Sequence, residues 1–107
     1  MEMIAKTPEV PYYAVIFTSV KNEGYHEYSE MAAKLVAKAQ KQEGFLGLES
    51  ARNEIGITVS YWKDLDSIEK WKNDIEHISA VELGKEKFYK NYRVRIAKVE
   101  IEFGKKD

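Results

Sequence analysis

A chain of 107 residues with 17 Lys and Arg against 18 Asp and Glu has a formal net charge of −1, a single-domain length without the cationic excess that draws a protein to nucleic acid or an anionic membrane. Cysteine is absent, which excludes disulfides, thiolate catalysis and Cys-ligated zinc or iron–sulfur centres. No apolar run approaches the ~20 residues of a membrane span, and MEMIAKTPEV lacks the basic-then-apolar order of a signal peptide, so the expected location is the cytoplasm.

Residues 1–11 hold both prolines, Pro8 and Pro11, and read as a lead-in segment to a single domain over 12–107. YYAVIFTSV, residues 12–20, is rich in aromatic and β-branched side chains and reads as a strand. Both of its alternating faces are largely apolar, so both are expected to be buried. Residues 25–42 place Tyr28, Met31, Ala32, Leu35, Val36 and Ala39 on one helical stripe, with Gly44 as the stop. FLGLESAR (45–52) and GITVSYW (56–62) read as two strands joined by a turn in which Gly56 is expected to supply a positive φ. Asp64 or Asp66 is expected to cap a helix near residues 65–73, with Leu65, Ile68 and Trp71 inward. A further helix is expected from about Glu76 to Lys87, followed by a last strand over YRVRIAKVEIEF, residues 92–103.

The order β-α-β-β-α(α)-β is the ferredoxin-like arrangement, an α+β fold with helices on one face of a four-stranded antiparallel sheet. That packing covers one sheet face only. The apolar second face calls for another cover, and the simplest is a second copy of the chain, sheet against sheet. The expected partner is therefore the chain itself, as a homodimer.

On the expected third helix, His77, Val81, Gly84 and Phe88 fall within about 60° of one another. An inward histidine beside a glycine is either a cavity wall or a satisfied core histidine packed against the sheet. Trp62, at a strand end, and Trp71, inside a helix, are either core anchors or the walls of an aromatic pocket. Arg52 and Arg95 lie in strands and need an acid partner or an open edge, with Glu49 and Glu100 available. His26 has no assigned role, and no His-x-x-x-His or His-x-x-Glu-His spacing is present, so no metal site is expected.

The segments GFLGLES, ITVSYWKDLDSIEKWKND, the EH pair ending at His77, and KFYKNYRVRIAKVE together resemble the antibiotic biosynthesis monooxygenase family over residues 12–103. The resemblance implies a dimeric α+β barrel and an oxygenase acting on a small aromatic or quinol-like substrate without a tightly bound cofactor. It implies His77 and Trp71 as catalytic residues and Trp62, Phe88, Tyr92 and Arg95 as substrate-binding residues, with Arg52 as the alternative to Arg95 for pairing with a substrate anion. A haem-binding or haem-degrading protein and a non-catalytic dimeric ligand-binding module are the alternatives. The haem-degrading branch carries an asparagine on the first strand, a tryptophan matched by Trp71, and a histidine ten residues later. The chain has no asparagine in YYAVIFTSV and has Val81 at the last position.

Overall fold

The computed structural model of the chain describes residues 3–22, 28–78 and 89–105, and within these the side chains of all but residues 28–32, 75–78 and 89. Its elements are β1 (Tyr12–Lys21), α1 (Tyr28–Gln40), β2 (Phe45–Arg52), β3 (Gly56–Trp62), α2 (Leu65–Ile78) and β4 (Tyr89–Val99). The four strands form one antiparallel sheet in the order β2-β3-β1-β4, the ferredoxin-like topology expected from the sequence.

Register fixes which residues share a face, because side chains alternate along a strand. Tyr13, Val15, Phe17 and Ser19 of β1 lie opposite Trp62, Ser60, Thr58 and Gly56 of β3, and opposite Lys98, Ile96, Val94 and Tyr92 of β4. This is the helix-facing side. Val15 and Trp62 join Ala39 of α1 and Ile68 and Trp71 of α2 in the buried core, with Tyr13, Leu35 and Phe45 packed around them. The opposite, outer face carries Tyr12, Ala14, Ile16 and Thr18 of β1 with Tyr61, Val59 and Ile57 of β3 and Ala97, Arg95 and Arg93 of β4.

Two glycines set the local chain path. Gly44, after α1, has φ +90, the left-handed region glycine favours, and a Cβ there would stand 2.1 Å from Ser67 Oγ. Its carbonyl accepts from Lys63 N at 2.9 Å, tying the end of α1 to the start of α2. Gly47 has φ +151 and follows a bulge after Phe45, and a Cβ on it would stand 2.9 Å from Ala5 Cβ.

Three expectations are corrected. Gly56 is not at positive φ; the positive-φ glycines among the described residues are Gly44 and Gly47. At Gly56 a Cβ would fall 2.1 Å from Arg52 Nη2, so the missing side chain makes room for a guanidinium. The helix expected to end near residue 73 runs unbroken to Ile78, because LDSIEKWKNDIEHI contains neither proline nor glycine to stop it. The separate helix from Glu76 therefore does not begin there, and its remainder, residues 79–87, lies outside the described residues. Finally, Tyr12 and Ala14, 4% and 5% exposed, are already buried on the outer face within one chain. The lead-in segment reaches that end, with Ala5 seated on Gly47 and its N–H donating to Glu49 Oε2 at 2.9 Å.

Candidate functional site

The helix-facing side of the sheet divides into an aromatic end and a cationic end. At the aromatic end Trp62 is completely enclosed, at 0% exposure, and Trp71 is 7% exposed. Their rings stack with centroids 5.9 Å apart and planes at 26°, and Phe45 meets Trp62 edge-on at 5.3 Å. Indole N–H groups need a partner when buried, and Trp62 Nε1 donates to Ser60 Oγ at 2.9 Å. Trp62 is thus a core anchor, and Trp71 brings the helix down onto it. Of the two roles the sequence allowed Trp62, enclosure leaves it no ligand-facing surface.

At the cationic end, Arg52, Gly56, Ser19 and Tyr92 occupy one row across the sheet. Arg52 Nη2 donates to Ser19 Oγ, and Ser19 is 2% exposed. Glu49, expected as a partner for Arg52, is not one, because three residues along a strand it points to the outer face. There it accepts from Tyr61 Oη at 2.7 Å. Tyr92 packs on Phe17, with ring centroids 5.7 Å apart. The row of Gly56 lies six residues along β3 from Trp62, on the order of 20 Å. Between the two ends are Phe17, the hydrogen-bonded hydroxyls of Ser50 and Thr58 at 2.7 Å, and Val94 and Ile96, 51% and 50% exposed. The result is a half-open apolar surface with a guanidinium at one end and the tryptophan pair at the other.

The remaining expected site residues separate from these. Arg95 is exposed and lies on the outer face, paired across from Ile16, so it does not share a surface with Trp71. His77 lies in the last turn of α2, six residues and so about 120° around the axis from Trp71, and its side chain is outside the described residues. Phe88, with Val81 and Gly84, also falls outside them.

Electrostatics elsewhere is structural. Asp64 rather than Asp66 caps α2, accepting from Ser67 N at 2.8 Å. The side-chain and backbone hydrogen bonds from Ser67 hold its carboxyl below the ordinary value of 3.8. On the outer face Tyr12 and Tyr61 pack edge to face at 5.8 Å. Burial, then the hydrogen bond to Glu49, pushes the Tyr61 phenol well above its ordinary 10.0. Burial and the bond to Glu102 push Tyr12 the same way. The sequence did not point to this network, nor to an outward groove of about 390 Å³ between the helices, lined by Lys34, Lys38, Lys41 and Asp74.

The four-stranded antiparallel sheet with its helices on one face agrees with the resemblance to the antibiotic biosynthesis monooxygenase family seen in the sequence. The family model described as monooxygenase af470-like matches residues 17–98, and the chain belongs to that family. It is 50% identical over 102 residues, 94% of this chain and 90% of the other, to the uncharacterized protein YqjZ of Bacillus subtilis (strain 168). Its fold is similar to that of SnoaB, a cofactor-independent oxygenase from Streptomyces nogalater, with TM-score 0.64, 12% identity and 89% and 97% of the two chains covered. It is likewise similar to a point mutant of MhuD with two manganese protoporphyrin IX bound per active site, with TM-score 0.65, 17% identity and 87% and 99% covered. At those identities the likeness is one of fold.

Proposed function

We propose that the chain is a monooxygenase that oxidises a small aromatic or quinol-like substrate with molecular oxygen and no tightly bound cofactor. The observation that carries this reading is the half-open apolar surface on the helix side of the sheet, with a half-buried Arg52 bonded to Ser19 at its end. An aromatic ring placed over Phe17 and Val94 brings an ionised hydroxyl toward the guanidinium, which favours the electron-rich anion that oxygen attacks. Because Arg95 is on the other face, the anion-pairing role goes to Arg52. His77 takes the proton as general base, its ordinary pKa lying near neutral, and Trp71 fixes the helix that carries it. The stoichiometry closes without a reductant for a methylene between aromatic rings, since CH₂ and O₂ give C=O and H₂O.

A haem-dependent reading fits these residues poorly. The helix-facing positions of β1 are Tyr13, Val15, Phe17 and Ser19, with no carboxamide among them. We further propose that a second copy covers the outer face, where Val20 and Ile57 stand 38% and 43% exposed.

The test is oxygen uptake by the purified protein with a panel of anthrone- and naphthol-type substrates. Substrate-dependent uptake with stoichiometric water formation, lost in Arg52→Gln and His77→Ala and kept in Arg95→Gln, is expected. No uptake with any substrate, together with a Soret shift on adding haem, would replace this reading with haem binding. Neither signal leaves the non-catalytic ligand-binding module.

A further inference from the structure

The outward side of the helices concentrates positive charge in a chain whose total is −1. From Met31 to Gln42 the sequence holds three lysines and no acid. Lys34, Lys38 and Lys41 stand at i, i+4 and i+7, one stripe about 10 Å long along α1. The stripe continues past the end of the helix, because Lys41 N and Gln42 N donate to Lys38 O and Ala39 O at 3.2 and 3.0 Å in one further tight turn. On α2, Asp74 accepts from Gln42 Nε2 at 2.8 Å. That bond ties the two helices together within the groove of about 390 Å³ that the three lysines line. The lysines are exposed, and Gln42 and Asp74 are half-buried.

A solvated helix face ordinarily sets lysines against acids three or four residues away. Neither Lys38 nor Lys41 has an acid at that spacing, and the acid that follows them, Glu43, lies 3.6 Å from Lys63 instead. Lysines near a helix C-terminus complement the dipole, but that end carries only about half a negative charge. With Asp74 counted as well, three ammonium groups still outweigh the negative charge of the groove. A concave surface of one sign raises the local concentration of the opposite ion.

We propose that this groove binds a small anion bearing linked phosphate groups, such as a di- or triphosphate. Ammonium groups bind phosphate oxygens as point charges, and cations spread along about 10 Å suit several linked phosphates better than a single one. The volume is that of a small-molecule site. Asp74 opposes the anion and so limits its affinity. The lining holds no residue of the sheet, so the site stands or falls independently of the oxygenase reading.

Isothermal titration calorimetry of the full chain with sodium tripolyphosphate, at about 10 mM ionic strength where screening is weak, tests the site. One site per chain with a Kd below about 1 mM is expected, weakening steeply as salt is added, with inorganic phosphate bound several-fold more weakly. Lys38→Gln and Lys41→Gln each weaken tripolyphosphate about two- to fivefold, and together about tenfold. Asp74→Asn, whose carbonyl still accepts from Gln42, tightens it about two- to fivefold, a gain that a merely disturbed helix pair would not produce. Lys105→Gln removes the same charge outside the groove and leaves the Kd unchanged. Circular dichroism checks that each variant is folded. A wild type that does not bind, an Asp74→Asn variant that binds no tighter, or a loss in Lys105→Gln equal to that in Lys38→Gln overturns the site. Citrate bound as tightly as tripolyphosphate overturns the assignment to linked phosphates.

Discussion

Replacing Trp62 with alanine tests whether the tryptophan pair is core or pocket. The ring is fully enclosed, stacked on Trp71, edge-on to Phe45 and hydrogen-bonded to Ser60. Emptying such a site costs about 3–5 kcal/mol, and the orphaned Ser60 hydroxyl, in a residue 8% exposed, adds to it. A domain of this size has a total stability of roughly 5–15 kcal/mol, so Trp62→Ala removes about a fifth of it or more. Urea unfolding followed by far-UV circular dichroism, with m unchanged, measures the loss. A double-mutant cycle of Trp62→Leu and Trp71→Leu then isolates the stacking, expected at ~0.5–1.5 kcal/mol. A loss below ~1.5 kcal/mol for Trp62→Ala would refute the enclosed packing and return Trp62 to the pocket wall. The corollary concerns function: any activity lost in Trp62→Ala reports unfolding, whereas Trp71→Phe, which keeps the aromatic character, reports on the site.

Three further outcomes are expected. Asp64→Ala lowers the urea midpoint at neutral pH; because the folded carboxyl sits below its ordinary 3.8, the wild-type advantage is complete above that value and disappears as pH falls through the lower folded value. A urea midpoint series against pH shows this. The raised phenols of Tyr61 and Tyr12 contribute stability that is complete below their ordinary 10.0 and is lost as pH rises toward the folded values, so Tyr61→Phe flattens the alkaline fall in stability seen by thermal melts in buffers on either side of pH 10. Gly56→Ala drives a Cβ into the Arg52 guanidinium, 2.1 Å from Nη2, and costs about 1–3 kcal/mol; the same variant displaces Arg52 from Ser19 and should depress substrate-dependent oxygen uptake.

The element order was legible because each segment carries its own period: aromatic and β-branched alternation in β1, a 3.6-residue stripe in α1, and the W-x₈-W spacing that sets Trp62 and Trp71 at a strand end and on a helix. What was not legible depended on single contacts between distant residues. FLGLESAR read as simple alternation would put Phe45, Gly47 and Glu49 on one face, but the bulge after Phe45 sends Gly47 and Glu49 to the outer face and Phe45 to the core. Glu49 and Arg52, three residues apart in regular register, face opposite sides with or without that bulge. The glycine between β2 and β3 suggested turn geometry, while its real constraint is the side chain folded over it. The clasp of Thr7, Tyr12 and Glu102 spans 95 residues, and no local pattern announces a bond of that range. Of the site, both tryptophans stood out as core anchors or pocket walls, while their stacking on one another needed the structure. The opposition of Arg52 and Arg95 across the sheet needed the register.

That opposition bears on how so small a chain uses both faces of one sheet. A sheet has two faces one residue apart, and here both are apolar while only one has its helices. On β1, Val15 and Phe17 look toward the tryptophan pair and Arg52, and Ile16 and Thr18 look toward the outer surface with Arg95. A one-residue slip of register would exchange the two sets entirely, so whatever fixes register protects both faces at once. The clasp and the Gly47 bulge lock that register at the end where the outer face is already buried. The cost of an apolar outer face on a monomer is exposure to any strand or sheet that fits.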